Sequence, residues 1–265
     1  VLDSVPLHLR DLTDEVLTML APEAHKKGIE LAALVYQDVP YEIMGDPVRL
    51  KQVLTNLINN AIKFTESGSV IVRVMLEEEL DQKVALKITV TDTGIGLTHD
   101  QKKQLFNAFS QADASTTRRF GGTGLGLVIS QHLVKHMQGE IGVESTAGSG
   151  SQFWFTGTFD SSEHYQEVWD DAPWFNKHAY ILSQWEFSGQ VLRNQLNSLG
   201  YHVQAFQTLQ ELLLAQNKQP AHVILMDLVD ELDESLVQDI KQNSHLVAML
   251  TNNDTESWDA FANLS

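Results

Sequence analysis

The sequence predicts an α/β protein in two domains, a first of mixed helix and strand and a second built on a parallel, doubly wound sheet. Three observations carry this reading. An amphipathic helical pattern at residues 49–68 is followed by an alternating strand pattern at residues 83–97. After about residue 165 short strands and helices alternate regularly, as in parallel sheets with crossover helices. Between them "DSSEHYQEVWDDAP", residues 160–173, has acids, no Lys or Arg, no clear periodicity and a closing proline, and reads as a linker. The expected division is therefore 1–159, an acidic linker at 160–175, and 176–265.

Composition narrows the function classes. The 265 residues suffice for two cores, and a hydrophobic fraction of 43% is ordinary for a globular protein. No run of 18 apolar residues is present, so no spanning helix is expected, and "VLDSVPLHLRDL" has neither the basic nor the apolar region of a signal peptide. The absence of cysteine excludes disulfides and thiol chemistry and is compatible with a reducing cytosol. A net charge of −17 argues against non-specific binding to nucleic acid or anionic membranes. A polyanionic ligand would need a local, metal-assisted site.

In "RLKQVLTNLINNAIKFTESG" Leu50, Val53, Leu54, Leu57, Ile58, Ala61 and Ile62 recur at helical spacing as one apolar stripe. Gln52, Asn56, Asn60 and Lys63 fall on another face. Two carboxamides one turn apart and an ammonium suit Mg²⁺ and phosphate oxygens, since Mg²⁺ prefers hard oxygen ligands; an ordinary polar helix face has the same pattern. In "KVALKITVTDTGIGL" Val84, Leu86, Ile88 and Val90 alternate with polar residues, and Asp92 continues the apolar parity, so its carboxylate points inward at the strand end. A carboxylate on a core face needs a donor, and the exocyclic amine of adenine is one; capping of the next element is the other reading. Gly94 and Gly96 would let a planar base lie against the backbone. Phe106 and Phe109 in "LFNAF" are lid anchors or core aromatics.

"RRFGGTGLGLVISQHL" puts four glycines into six residues directly before a helical pattern. Glycine marks positive φ or close approach of the backbone, and a helix N-terminus seats phosphate; a hinge is the alternative. Neither the P-loop nor the G-x-G-x-x-G fingerprint is present. "TAGSGSQFWF" adds a Gly-rich turn, residues 148–151, leading into an aromatic strand.

In order and spacing these segments resemble the boxes of sensor histidine kinases: N-L-I-N-N-A-I-K-F-T the N box, D-T-G-I-G the G1 box, F-N-A-F the F box, G-G-T-G-L-G-L the G2 box and G-S-G-S the G3 box. "FSQADAS", "GGTGLGLVISQHLV" and "SQFWF" look most like hybrid sensor kinases of the BarA/GacS type. The similarity covers about residues 5–159 and implies a Bergerat fold, a two-layer α/β sandwich with a mixed sheet and a mobile lid. It implies ATP and Mg²⁺ as cofactors, with Asn60 as metal ligand, Lys63 on phosphate and Asp92 accepting the adenine amine. Gly122, Thr123, Gly124, Leu125 and Gly126 would cradle the phosphates, with Gly94, Gly96, Phe109 and Ser151 lining the nucleotide site. Arg118 and Arg119 are candidate γ-phosphate contacts. Asn56, Asn60 and Lys63 form the candidate catalytic set.

Related ATPases that hydrolyse ATP place a glutamate base one turn before the metal asparagine. Here that residue is Asn56, which has no useful basicity, so transfer to a histidine imidazole is the better fit, by positioning and charge neutralisation. The alternatives are a nucleotide-sensing pseudokinase that docks partners, or an ATP-hydrolysing relative. The phosphoacceptor motif, a histidine followed by an acid on a dimerising helix hairpin, is not found among the ten histidines, and His8, His25, His132 and His136 fall within the catalytic-domain pattern. The resemblance therefore implies a monomeric piece, inactive alone in autophosphorylation, from the cytoplasmic portion of an inner-membrane sensor. Its expected partners are the parent's histidine hairpin and another sensor kinase or regulator docked on its surface.

The second domain resembles a receiver, flavodoxin-like in fold. "HVILMDL" puts Asp227 at the phosphoacceptor position and "AMLTN" puts Thr251 at that of the hydroxyl. The expected acidic pair is replaced by Ser183 and Gln184, and the chain stops before the strand that carries the family's lysine. A degenerate, truncated docking module in which Asp227 accepts no phosphoryl group is the expectation.

Overall fold

The helix over residues 47–64 starts from a cap and a proline. The computed structural model describes residues 3–105, 125–161, 172–227 and 244, with the backbone of 246–250. Phe106, Phe109, Arg118, Arg119, Gly122, Thr123, Gly124 and Thr251 lie outside the described residues, as does the side chain of Asp227. The chain divides into two compact units, residues 1–166 and 167–265.

The first unit runs β1 (Val5–His8), α1 (Leu9–Lys26), β2 (Ile29–Val35), β3 (Glu42–Gly45), α2 (Pro47–Phe64), β4 (Gly68–Leu80), β5 (Lys83–Asp92), α3 (His99–Gln104), α4 (Gly126–His136), β6 (Ile141–Ser145) and β7 (Ser151–Ser161). The Asp46 side chain accepts from the Arg49 N–H at 3.0 Å and Pro47 supplies a preset φ, so α2 begins where two local signals agree. All seven stripe residues expected from the sequence are buried. Each Leu, Ile or Val among them contributes about 1.5–3 kcal/mol when fully removed from water, and Ala61 less. The helix ends at Phe64, short of Gly68, because Gly68 already opens β4.

The sheet is mixed. Its order is β1-β3-β7-β5-β4-β2, with β6 alongside the first half of β7. Only β2 and β4 pair in parallel; the remaining neighbours are antiparallel. Val70, Val72 and Val74 of β4, Val84, Leu86, Ile88 and Val90 of β5, and Phe153, Phe155 and Phe159 of β7 form one apolar face. Against it pack Leu9, Leu12, Val16 and Leu20 of α1, the stripe of α2, and Val134 of α4. Helices on one face of a mixed sheet give the two-layer sandwich.

The second unit runs β8 (His178–Ser183), α5 (Glu186–Ser198), β9 (His202–Phe206), α6 (Leu209–Lys218), β10 (Val223–Asp227) and β11 (Leu246–Leu250). The strands are all parallel in the order β11-β10-β8-β9. Alternate residues serve two cores. Tyr180, Leu182, Ile224 and Met226 pack with Leu212 of α6, and Ala179, Ile181 and Val223 pack with Leu196 of α5. Two helices on opposite faces make this sheet doubly wound.

Candidate functional site

The parity of β5 sets the first site residue. Val84, Leu86, Ile88 and Val90 face the core, and Asp92, next in phase, is 5% exposed. Its Oδ1 accepts the N–H of Gly94 at 2.8 Å and that of Ser151 at 3.3 Å. Its Oδ2 accepts no hydrogen bond among the described residues. Burial raises the carboxyl pKa, and the two backbone donors only partly offset this. A donor to Oδ2, such as a ligand amine, would complete the group's hydrogen bonding in the position where it is most costly to leave unmet.

The glycines flanking Asp92 answer to protein atoms. A Cβ on Gly94 would strike the Phe64 carbonyl and Asp92 Oδ1, and one on Gly96, at φ +64, would strike the Thr146 carbonyl. A Cβ on Gly150 would meet the Asp92 carbonyl. The loop after β5 and the turn between β6 and β7 thus pack backbone on backbone, tied by the Gly148 N–H to the Ile95 carbonyl at 2.7 Å. Ser145 bridges the two: its Oγ accepts from the Leu97 N–H and donates to the Gly150 carbonyl, each at 2.8 Å, and lies 3.0 Å from Ser151 Oγ. A cleft of about 250 Å³ opens at this end of the sheet, lined by Thr91, Asp92, Ser145, Thr146, Gly150 and Ser151 among others.

α2 presents the polar face. Asn60 Nδ2 donates to Asn56 Oδ1 at 3.4 Å, and Asn56 Nδ2 donates to Ser130 Oγ at 2.9 Å. Lys63 Nζ lies 5.1 Å from the centre of the Phe64 ring. The C-terminal end of α2 is held by Lys27, whose Nζ donates to the carbonyls of Ile62, Lys63 and Thr65 at 2.6, 3.1 and 3.1 Å. α4 starts at Gly126 after Leu125, with no side-chain cap and no acid in its first turn. Its N-terminal N–H groups are therefore left to other acceptors.

Of the expected set, the structure places Asp92, Gly94, Gly96 and Ser151 together at the β5 end, and Asn56 and Asn60 with Leu125 and Gly126 at the junction of α2 and α4. Ser145, Ser130 and Lys27 carry no periodic signal and escaped the sequence reading; a lone hydroxyl on the apolar face of α4 is the only cue for Ser130. His99 is followed by Asp100, 3.8 Å away, but both are exposed and open the six-residue α3. Among the described residues no cluster of three His, Asp or Glu could hold a metal. A cation here would be held by the Asn60 carboxamide oxygen, a hard donor of the kind Mg²⁺ prefers, with ligand phosphates and water completing its coordination.

Residues 45–160 match the family described as histidine kinase-, DNA gyrase B-, and HSP90-like ATPase. The sensor histidine kinase GacS of Pseudomonas protegens is 50% identical over 212 residues, covering 80% of this chain and 23% of that protein. The signal transduction histidine-protein kinase BarA of Escherichia coli is 49% identical over 155 residues, covering 58% of this chain and 17% of that protein. The chain thus spans at most about a quarter of the length of these curated relatives. The crystal structure of full-length ShkA in complex with AMPPNP is 31% identical with a TM-score of 0.68, covering 86% of this chain and 45% of that one.

Proposed function

We propose that the domain at residues 45–160, a member of the histidine kinase-, DNA gyrase B- and HSP90-like ATPase family, is the ATP-binding catalytic portion of a hybrid sensor histidine kinase. Asp92 carries the reading: it is a buried carboxylate with one oxygen held by two backbone N–H groups, and its other oxygen, with no donor among the described residues, is the one assigned here to the adenine amine. The AMPPNP bound by the similar ShkA supports it. Gly94, Gly96 and Ser151 form the wall beside Asp92. Asn60 holds Mg²⁺, which neutralises phosphate charge, and Lys63 reaches phosphate oxygens. Leu125 and Gly126 bring the backbone of the α4 N-terminus to the phosphates; Gly122, Thr123 and Gly124, expected beside them, lie outside the described residues.

The γ-phosphoryl group passes to a histidine on a separate helix hairpin. The neutral imidazole nitrogen bonds to phosphorus as the bond to the ADP oxygen breaks, and the ring's other nitrogen gives up its proton. Asn56 argues against hydrolysis as the main reaction. It is no base, and its NH₂ is committed to Ser130. The chain alone is a monomer that does not phosphorylate itself, and it acts as the cytoplasmic portion of a membrane sensor.

The second unit is a degenerate, receiver-like docking module. Asp227 pairs in register with Ser183, and the nearest acid after β8, Glu186, opens α5. The Ser183 hydroxyl is bonded to the Trp185 backbone. Mg²⁺ at Asp227 would find no carboxylate from Ser183 or Gln184.

The test mixes this chain with a separately expressed histidine hairpin of the similar GacS, Mg²⁺ and γ-labelled ATP. Acid-labile label on the hairpin is expected. Label on this chain, or release of free phosphate alone, would contradict the reading.

A further inference from the structure

We infer that Ser130 is a positioning residue for the metal-bound nucleotide, acting through Asn56 on Asn60. The inference rests on the proposed reading of Asn60 as the Mg²⁺ ligand. The three residues form one chain of hydrogen bonds across two helices. Asn60 Nδ2 donates to Asn56 Oδ1, and Asn56 Nδ2 donates to Ser130 Oγ. Among the described residues the Asn60 Oδ1 accepts nothing.

A carboxamide has one face that attracts a cation and one that repels it, and its two ends have nearly the same shape. For Asn60 to offer oxygen to Mg²⁺, its NH₂ must be taken up elsewhere. Asn56 Oδ1 does this, which turns the Asn56 NH₂ toward α4 and leaves it needing an acceptor. Ser130 supplies that acceptor in a dry setting, with the residue 1% exposed, so water does not readily replace it. Gly126 packs against the same Asn56 amide, and a Cβ there would collide with its oxygen. With alanine at 130 the Asn56 amide is free to turn over, presenting NH₂ toward Asn60. Asn60 then turns in its place and offers NH₂ to the cation. Groups that orient a metal ligand in this manner typically change metal affinity by roughly 10–100-fold when removed.

The position of Ser130 also separates this role from direct contact. It lies one turn inside α4, behind the first-turn N–H groups, and reaches the site only through Asn56. A purely structural role would lower nucleotide affinity with and without metal alike. A positioning role lowers only the share of affinity that Mg²⁺ adds.

The experiment is a calorimetric titration of the whole chain with ATP, in Mg²⁺ and in EDTA, for the parent, Ser130→Ala, Asn56→Ala and the double variant. Thermal melts confirm folding of each. Ser130→Ala should cut the Mg²⁺ enhancement by roughly tenfold and leave the EDTA affinity unchanged. The double variant should lose no more enhancement than Asn56→Ala alone, since both act on one chain. An unchanged enhancement in Ser130→Ala, equal losses in both buffers, or additive losses in the double variant would overturn the inference alone. A parent chain with no Mg²⁺-linked ATP binding would overturn it together with the function proposed above.

Discussion

Two strands of this chain end on an aspartate, β5 on Asp92 and β10 on Asp227, and their surroundings differ in kind. Around Asp92 the chain spends three glycines and a serine on bringing two loops together, so that backbone N–H groups meet one carboxylate oxygen. Beside Asp227 the partner strand ends on Ser183, whose hydroxyl is turned to its own backbone, and Gln184 follows. An acid at a strand end is therefore not a site by itself. At Asp92 neighbouring loops give up side chains to surround the carboxylate, whereas beside Asp227 the described neighbour Ser183, and Gln184 after it, bring no acidic group.

The sharpest way to break the comparison is to add one carbon. Gly28 and Gly96 share φ +64, but a Cβ meets nothing within 4 Å at Gly28 and collides with the Thr146 carbonyl at Gly96. Gly28→Ala should cost only the left-handed backbone penalty, about 1–2 kcal/mol in denaturant unfolding, with ATP binding intact. Gly96→Ala should cost more and abolish ATP binding; equal effects of the two would show that the loop contact does not build the site.

Next in size is Lys27→Met. It strips two α2 carbonyls and that of the C-cap Thr65 of their donor while keeping the aliphatic stem, and a loss of about 1–2 kcal/mol is expected in the first unit. Denaturant unfolding followed by a first-unit probe such as Trp154 measures it, and an unchanged midpoint would assign the cap no role.

Asp92→Asn should have a smaller effect on stability, and of the opposite sign. Burial raises the folded-state pKa, so the folded chain holds the proton more tightly than the unfolded one. The stability from that proton is complete below the ordinary carboxyl pKa and is lost as pH rises through the raised value. At pH 7 the ionised group is a cost, and the neutral amide should raise the melting temperature there. The gain should shrink in acid, where both side chains are neutral. A melting temperature that falls at pH 7 would show that the ionised carboxylate stabilises the fold.

The smallest expected effect is none. Incubation with acetyl phosphate and Mg²⁺ should leave the intact mass of the chain unchanged. A stoichiometric gain of one phosphoryl group, abolished by Asp227→Asn, would make the second strand end a working acceptor.

Much of this was legible in the sequence, for reasons that can be named. The α2 stripe and the inward parity of Asp92 are periodic, and periodicity survives without tertiary context. The order of the glycine-rich segments pointed to a nucleotide site, and of those segments the structure describes the loops around Asp92 and the start of α4. The purpose of Gly94 and Gly96 was only half legible: their spacing suggested room for a base, whereas the atoms that exclude a Cβ are protein carbonyls and the Asp92 carboxylate. Ser130, Ser145 and Lys27 were not legible because each acts on a remote partner. Ser130 meets Asn56 across 74 positions, Ser145 meets Leu97 across 48, and Lys27 meets the carbonyls at the end of α2 across 35–38. A single polar residue has no period, so nothing in its neighbourhood announces such a partner.

The most direct test of the central claim is one calorimetric series: the whole chain, Asp92→Asn and Asp227→Asn, each titrated with ATP in Mg²⁺ at neutral pH. The predicted result is one nucleotide per parent chain, an affinity lowered by roughly tenfold to a hundredfold in Asp92→Asn for the lost charge-assisted hydrogen bond, and parental affinity in Asp227→Asn. Parental affinity in Asp92→Asn, or an equal loss at both aspartates, would contradict it.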